Sequence, residues 1–195
     1  MVSPLFINRG IIMEKRINII KLSVVLISAL VLAAVDQVIK YFVVEYLEPV
    51  GSVVAIPNLL TLVYVRNEGA AFGIFQGAVV VFSLLTVAMI GVFIYLILAK
   101  KLKGKLFYIS TALIIGGGIG NLIDRLFRHF VVDYLQLSFF PPVCNFADYC
   151  VTIGAALFII SLLFINSKNI ANDSRTSADE KTDSGALDEG DKTED

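Results

Sequence analysis

The sequence predicts an all-α membrane protein built as a four-transmembrane-helix bundle, and three observations carry that prediction. The chain has 195 residues, of which 57% are hydrophobic and only 17% charged, with a mean hydropathy of +0.81. A soluble domain is nearer a quarter charged and could not hide this much apolar surface. Four segments, at about 17–44, 78–99, 106–127 and 147–165, reach the ~20 residues that a bilayer crossing needs. Positive charge then alternates from one connection to the next.

Each span has its own character. The first is apolar from Leu22 to Val35 and then carries Asp36 and Lys40. The second contains no charge. The third holds Gly116, Gly120, Asn121, Asp124 and Arg125, and the fourth opens on Asp148. Arg9, Lys15, Arg16 and Lys21 precede the apolar stretch of the first span, and Lys100, Lys101, Lys103 and Lys105 fill the link between the second and third. Lys168 and Arg175 follow the fourth, whereas the 45–77 loop has only Arg66 and the 128–146 loop only Arg128. Positive residues stay on the cytoplasmic side, so both termini are expected there and both long loops outside.

A basic start followed by an apolar run and Ala33-Ala34 also resembles a cleavable signal peptide. The helix continues through Asp36, Gln37 and Lys40, and its removal would break the charge alternation, so it is read as a retained span. Met13 is a plausible start. Residues 1–166 form the membrane domain. From Ser167 onward nine Asp/Glu face four Lys/Arg, and only one Leu follows Ile170. That segment cannot build a core and is expected to be a disordered acidic cytoplasmic tail. No basic surface points to nucleic acid. Cys144 and Cys150 make neither a disulfide framework nor a zinc spacing and are read as buried apolar residues.

Four acids are expensive where they stand, because a carboxylate at a membrane boundary needs a partner, a shifted pKa or a role. Asp36, Asp124, Asp133 and Asp148 all map to the outer face. Asp36 and Lys40 are spaced for an intrahelical pair with the acid first. Gly116 and Gly120 form a small-xxx-small stripe that admits a neighbouring helix. Asp124 beside Arg125 reads as structural, leaving Asn121 and Arg125 to offer donors to a peptide backbone. Asp148, Thr152 and Ala155 share a face suited to the bundle interior. Asp133 and Asp148 have no cation close in sequence. Two such carboxylates in a half-dry site share a proton, one acting as base for water and the other as acid.

Other chemistries are weaker. The single histidine, His129, does not supply a Ser-His-Asp triad or a multi-histidine metal site and reads as an interfacial side chain. The cysteines have no histidine partner. A small membrane ion or proton carrier using intramembrane acids is the alternative, but four short spans without repeated halves suit it poorly. The Gly-x-Gly-Asp block of presenilin and prepilin peptidases does not occur.

Five ordered blocks resemble bacterial lipoprotein signal peptidase (signal peptidase II). They are Val35-Asp36-Gln37-Val38-Ile39-Lys40, Asn67-Glu68-Gly69-Ala70-Ala71-Phe72-Gly73, Gly120-Asn121-Leu122-Ile123-Asp124-Arg125, Val131-Val132-Asp133-Tyr134 and Asn145-Phe146-Ala147-Asp148. The resemblance implies an aspartic endopeptidase with Asp133 and Asp148 as the catalytic pair. It implies substrate binding by Asn67, Asn121, Arg125 and Asn145, and structural support from Asp36, Lys40 and Asp124. It implies a small extracytoplasmic β-sheet around 53–74, with small side chains at Gly69-Ala70-Ala71 where the peptide passes. The implied substrates are diacylglyceryl-modified prolipoproteins, cut just before the lipidated cysteine, with membrane lipids as the surroundings. Neither metal nor cofactor is expected, and the protein is read as a monomer in the bacterial cytoplasmic membrane. Tyr134 stands where Phe is commoner.

Overall fold

The computed structural model describes residues 4–69, 79–99, 102 and 104–164. The expectations for Ala70-Ala71, for Lys100, Lys101 and Lys103, and for the acidic tail lie outside these residues. The chain divides after Phe158 into two units, 1–158 and 159–195. The first holds the sheet and three whole helices; of the second, residues 159–164 complete the fourth helix.

Helix α1 runs Pro4–Phe42 and widens into a π-helical turn at Val43–Leu47; α2 is Val79–Leu98 and α3 is Lys105–Phe127. Helix α4 is Phe146–Phe164. All four are long and apolar enough to cross a membrane, over Asn18–Leu47, Val79–Leu98, Lys105–Phe127 and Phe146–Phe164. On α2, Val80, Val81, Leu84, Leu85, Val87 and Val92 are all more than half exposed. A water-soluble protein rarely presents so continuous an apolar face, whereas lipid requires one.

Helix α3 is the centre of the bundle, with 61% of its span buried against 11% for α2. Its glycines make this possible. A methyl group on Gly116 would come within 2.9 Å of the Ala29 carbonyl oxygen of α1, and one on Gly120 within 2.6 Å of Asp36 Oδ2. On the next face, a methyl on Gly117 would collide with the Ala147 carbonyl of α4. The small-residue stripe therefore seats α1 as expected, and its neighbour seats α4. At the other end, Phe107, Ile114 and Ile115 close an apolar core with Val25, Ala29, Phe93 and Ile97.

The sheet is larger than the sequence reading allowed. Strands β1 (Ser52–Ile56), β2 (Leu60–Asn67), β3 (Val131–Leu137) and β4 (Phe140–Cys144) form one antiparallel sheet in that order. Half of it comes from the second long loop, to which the sequence reading assigned no strand and whose β4 carries Pro141 and Pro142. The prolines are tolerated because β4 is an edge. Leu47, Val132 and Tyr134 form a second small core under the sheet.

The fourth span also corrects an expectation. Its interior face is Ala147, Cys150 and Gly154, all buried, while Thr152 is exposed and Asp148 and Ala155 are half-buried. The cause is Gly117, which admits Ala147 and Cys150 rather than the neighbouring stripe. Cys144 is only half-buried, and both cysteines are free.

Candidate active site

The four acids meet where α1, α3 and α4 abut the sheet. Asp36, Lys40, Asp124 and Asp133 are almost completely buried, as is Asn145. Lys40 Nζ lies 2.9 Å from Asp36 Oδ2 and 2.9 Å from Asp124 Oδ2, and donates to Asn121 Oδ1 at 2.8 Å. Its three hydrogens thus have three acceptors on two helices. Gln37 Nε2 donates to the Gly120 carbonyl at 3.0 Å, adding a further bond between α1 and α3. Asp124 also accepts from the Val132 backbone N–H at 3.0 Å, tying the bundle to β3. Its partners are Lys40 and, at 3.9 Å, Arg128, not the adjacent Arg125 on which the sequence reading relied.

Asp133 and Asp148 are held by amides instead of cations. Asn67 Nδ2 donates to Asp133 Oδ2 at 2.7 Å and Asn145 Nδ2 to Asp133 Oδ1 at 2.6 Å. Asn121 Nδ2 donates to Asp148 Oδ1 at 2.8 Å, and the Asn145 backbone N–H to Asp148 Oδ2 at 3.0 Å. Asn145 therefore bonds both carboxylates at once. Asn67 reaches Asp133 because β2 and β3 pair Val65 with Asp133 and Asn67 with Val131, making Asn67 its diagonal neighbour. An irregularity in β2 between Leu62 and Val65 falls immediately before that pair.

The start of α4 explains why Asp148 is fixed. A helix N-terminus leaves backbone N–H groups without intrahelical partners. Here the Phe146 N–H donates to the Tyr134 hydroxyl at 3.2 Å, the Ala147 N–H to Asp36 Oδ1 at 3.1 Å and the Asp148 N–H to Asn145 Oδ1 at 2.9 Å. Asn145 and Asp148 close a reciprocal capping box. The Tyr134 hydroxyl supplies one of these caps.

Burial, partly offset by the Asn67 amide, pushes the Asp133 carboxyl up to about 6, with the nearby Asp148 charge acting in the same direction as burial. Burial likewise raises the Tyr134 phenol, and the Cys144 thiol is raised by burial and by Asp148 and Asp133. A thiol raised in this way is a poor nucleophile. Beside Asp148 opens a cavity of about 260 Å³ lined by Thr86, Met89, Gly118, Asn121, Arg125, Val151 and Thr152. The Arg125 guanidinium lies over the Phe82 ring at 5.6 Å. Arg66 of β2 pairs with Glu48 at 2.6 Å in an exposed ion pair. His129 is exposed with φ 64°, the left-handed residue that ends α3. No group of His, Cys, Asp and Glu among the described residues could hold a metal ion.

The family model for Signal peptidase (SPase) II matches residues 28–164. This chain belongs to the signal peptidase II family. It is 39% identical over 150 residues to the lipoprotein signal peptidase of Lactobacillus johnsonii, an alignment covering 76% of this chain and 97% of that one. With the lipoprotein signal peptidase of Shouchella clausii it shares 42% over 137 residues, covering 70% and 91%. Among solved structures, a bacterial membrane enzyme determined in meso superposes with a TM-score of 0.67 at 31% identity, covering 75% of this chain and 91% of that one. A second such structure gives a TM-score of 0.66 at 30% identity. As a signal peptidase II family member with four apolar spans, the chain is a multi-pass bacterial membrane peptidase.

The structure brings together the four acids that the sequence reading singled out, and adds ties that the reading left open. It treated Asn121 and Asn145 as donors awaiting substrate. Their amides are already engaged with Asp148, Asp133 and each other. Gln37 and the Tyr134 hydroxyl were missed altogether. Tyr134 had a signal, since it follows Asp133 directly and a buried phenol needs a partner.

Proposed function

We propose that this chain is an aspartic intramembrane endopeptidase that removes signal peptides from diacylglyceryl-modified prolipoproteins by cleaving just before the lipidated cysteine. The observation that carries this reading is Asn145 bonding Asp133 at 2.6 Å and Asp148 at 3.0 Å, beside a cavity that Arg125 lines. Family membership agrees with it: the curated relatives are named lipoprotein signal peptidases.

Asp148, half-buried at the cavity, is the base that takes a proton from water. Asp133, almost fully buried and with its carboxyl pushed up to about 6, holds the proton. Water attacks the scissile carbonyl carbon as Asp148 accepts its proton and Asp133 delivers one to the carbonyl oxygen. The tetrahedral intermediate collapses as Asp148 passes its proton to the leaving amine and Asp133 takes one from a gem-diol hydroxyl, which breaks the C–N bond and restores both carboxyls to their starting states. Arg125 faces the peptide across the cavity, and Asn67, Asn121 and Asn145 hold the carboxylates and line the peptide's path. Asp36, Lys40 and Asp124 keep the helices in register. With both termini cytoplasmic, as the charge bias implies, the dyad and sheet face outward. The lipid tails then stay in the bilayer while the scissile bond meets water at its edge.

The test is cleavage of a diacylglyceryl-modified peptide by the purified protein. Asp133→Asn and Asp148→Asn should each abolish turnover while the protein inserts and folds. Near-normal turnover in either variant overturns the dyad, and equal cleavage of the unlipidated peptide overturns the substrate class.

A further inference from the structure

Three asparagines turn side-chain N–H groups toward the two carboxylates, which each can do only while its carbonyl oxygen is held the other way. For Asn67 the holder is the Gly69 N–H at 3.0 Å, and for Asn145 the Asp148 N–H at 2.9 Å. Both are backbone donors within three residues. Asn121 is held differently. Its Oδ1 accepts from Lys40 Nζ at 2.8 Å and from Asn145 Nδ2 at 3.1 Å. The ammonium comes from another helix and is fully buried. Its ion pair to Asp124 already joins α1 to α3, and its pair to Asp36 lies within α1. The third bond faces the reaction.

Resting on the dyad proposed above, we infer that Lys40 is a positioning residue for hydrolysis, holding Asn121 so that Asp148 remains the ionised base of the pair. With Oδ1 bound to the ammonium, Nδ2 must face Asp148 Oδ1, where it donates at 2.8 Å. A reversed amide would set carbonyl against carboxylate and favour a protonated Asp148. The charge also polarises the amide along the chain Lys40–Asn121–Asp148, making Nδ2 a stronger donor. Among the described residues, the other ionisable groups facing Asp148 are Arg125 on α3, Asp133 and Tyr134 on β3, Cys144 on β4 and Tyr149 on its own helix. Helix α2 brings only Thr86 and Met89 to the cavity, and neither titrates. Lys40 is thus the cation that reaches Asp148 through a fixed hydrogen-bonded path.

The experiment is the pH profile of kcat/KM for cleavage of a diacylglyceryl-modified peptide. Asn121→Leu removes the hand-off yet leaves both Lys40 ion pairs. It should lower kcat at least tenfold with little change in KM, and move the acidic limb upward by about one pH unit, the direction expected when a carboxylate loses a donor. Lys40→Met, made with Asp36→Asn so that the charges leave together, should move the limb the same way. Adding Asn121→Leu to that pair should move it no further, since the two act in series. Asp36→Asn alone should leave the limb in place. An unmoved acidic limb in Asn121→Leu overturns the inference even if the Lys40 variant does not fold, and so do additive shifts. Either result leaves the peptidase reading intact, which fails only if Asp133→Asn or Asp148→Asn still turns over.

Discussion

Asn145 and Asp148 cap one another: the Asp148 N–H donates to Asn145 Oδ1 at 2.9 Å and the Asn145 N–H returns to Asp148 Oδ2 at 3.0 Å. The box starts α4 and fixes one proposed catalytic carboxylate in the same few atoms. The Asn145 side-chain N–H₂ is then left for Asp133 and Asn121. Helix initiation and the geometry of the proposed dyad are one structure here.

Substitutions at Asn145 should therefore separate folding from turnover. Asn145→Asp keeps an acceptor for the cap but removes the donor to Asp133 and adds a third charge. Its thermal midpoint should fall at neutral pH and recover in acid, where the added carboxyl is neutral, while cleavage falls about 100-fold at either pH, the size of effect seen when a preorganised donor is lost. Asn145→Ala should lose turnover and also about 1 kcal/mol of stability, the usual worth of a cap. Thermal unfolding and peptide cleavage on the same preparations check both.

Tyr134→Phe should do the reverse. It removes the acceptor of the Phe146 N–H and leaves every bond to Asp133 and Asp148 in place. The expected loss is about 1 kcal/mol, typical of one hydrogen bond, with cleavage retained. A large fall in turnover without unfolding would place the hydroxyl in the chemistry.

The Asp133 carboxyl sets a pH dependence whose sign can be stated. Its pKa is raised from 3.8 to about 6 by burial, so the folded state binds the proton more tightly than the unfolded one. The stability it contributes is fully present below about pH 4 and is lost as pH rises through about 6. At roughly 1.4 kcal/mol per unit this amounts to about 3 kcal/mol, which Asp133→Asn should flatten. With Asp133 as the acid, kcat/KM should have an alkaline limb near its pKa. Asn67→Ala, which removes a bond to the ionised form, should move that limb upward. A limb that moves down would reverse the assignment.

Two glycines on α3 should respond differently to a methyl group. Gly120→Ala places Cβ 2.6 Å from Asp36 Oδ2, inside the buried Lys40 network, where nothing can retreat. Breaking a buried ion pair costs about 3–5 kcal/mol, so little folded protein should be recovered. At Gly118 the nearest atoms are Met89 Cε at 3.2 Å and Thr86 Cγ2 at 3.3 Å, the ends of side chains that can move. Gly118→Ala should fold and should raise KM by narrowing the cavity. Yield after membrane extraction and steady-state kinetics distinguish the two.

Spans, small-residue seating and the proximity of the acids were legible because each leaves a local mark: length, glycine spacing and misplaced charge. The Asp36–Lys40 pair was legible for the same reason, both being on one helix. What escaped was written across elements. Lys40 meets Asp124 and Asn121 only once α1 lies on α3. Asp36 caps the Ala147 N–H from 111 residues away. β3 and β4 were hidden because a strand of mixed burial next to two prolines has no clean alternation. The role of Thr152 was misjudged because periodicity gives faces but not which neighbour each face meets.

The sheet's connectivity has one more consequence. Asp133 rides on an inner strand of β2–β3–β4, and Asp148 on a transmembrane helix whose start is tied to the rest by Asp36, Asn121 and Tyr134. A chain halfway through insertion holds the two acids on separate, unjoined parts. In the proposed mechanism such a chain cannot cut anything, so the assembly step itself acts as a safety catch on a protease that shares its membrane with every other inserting protein.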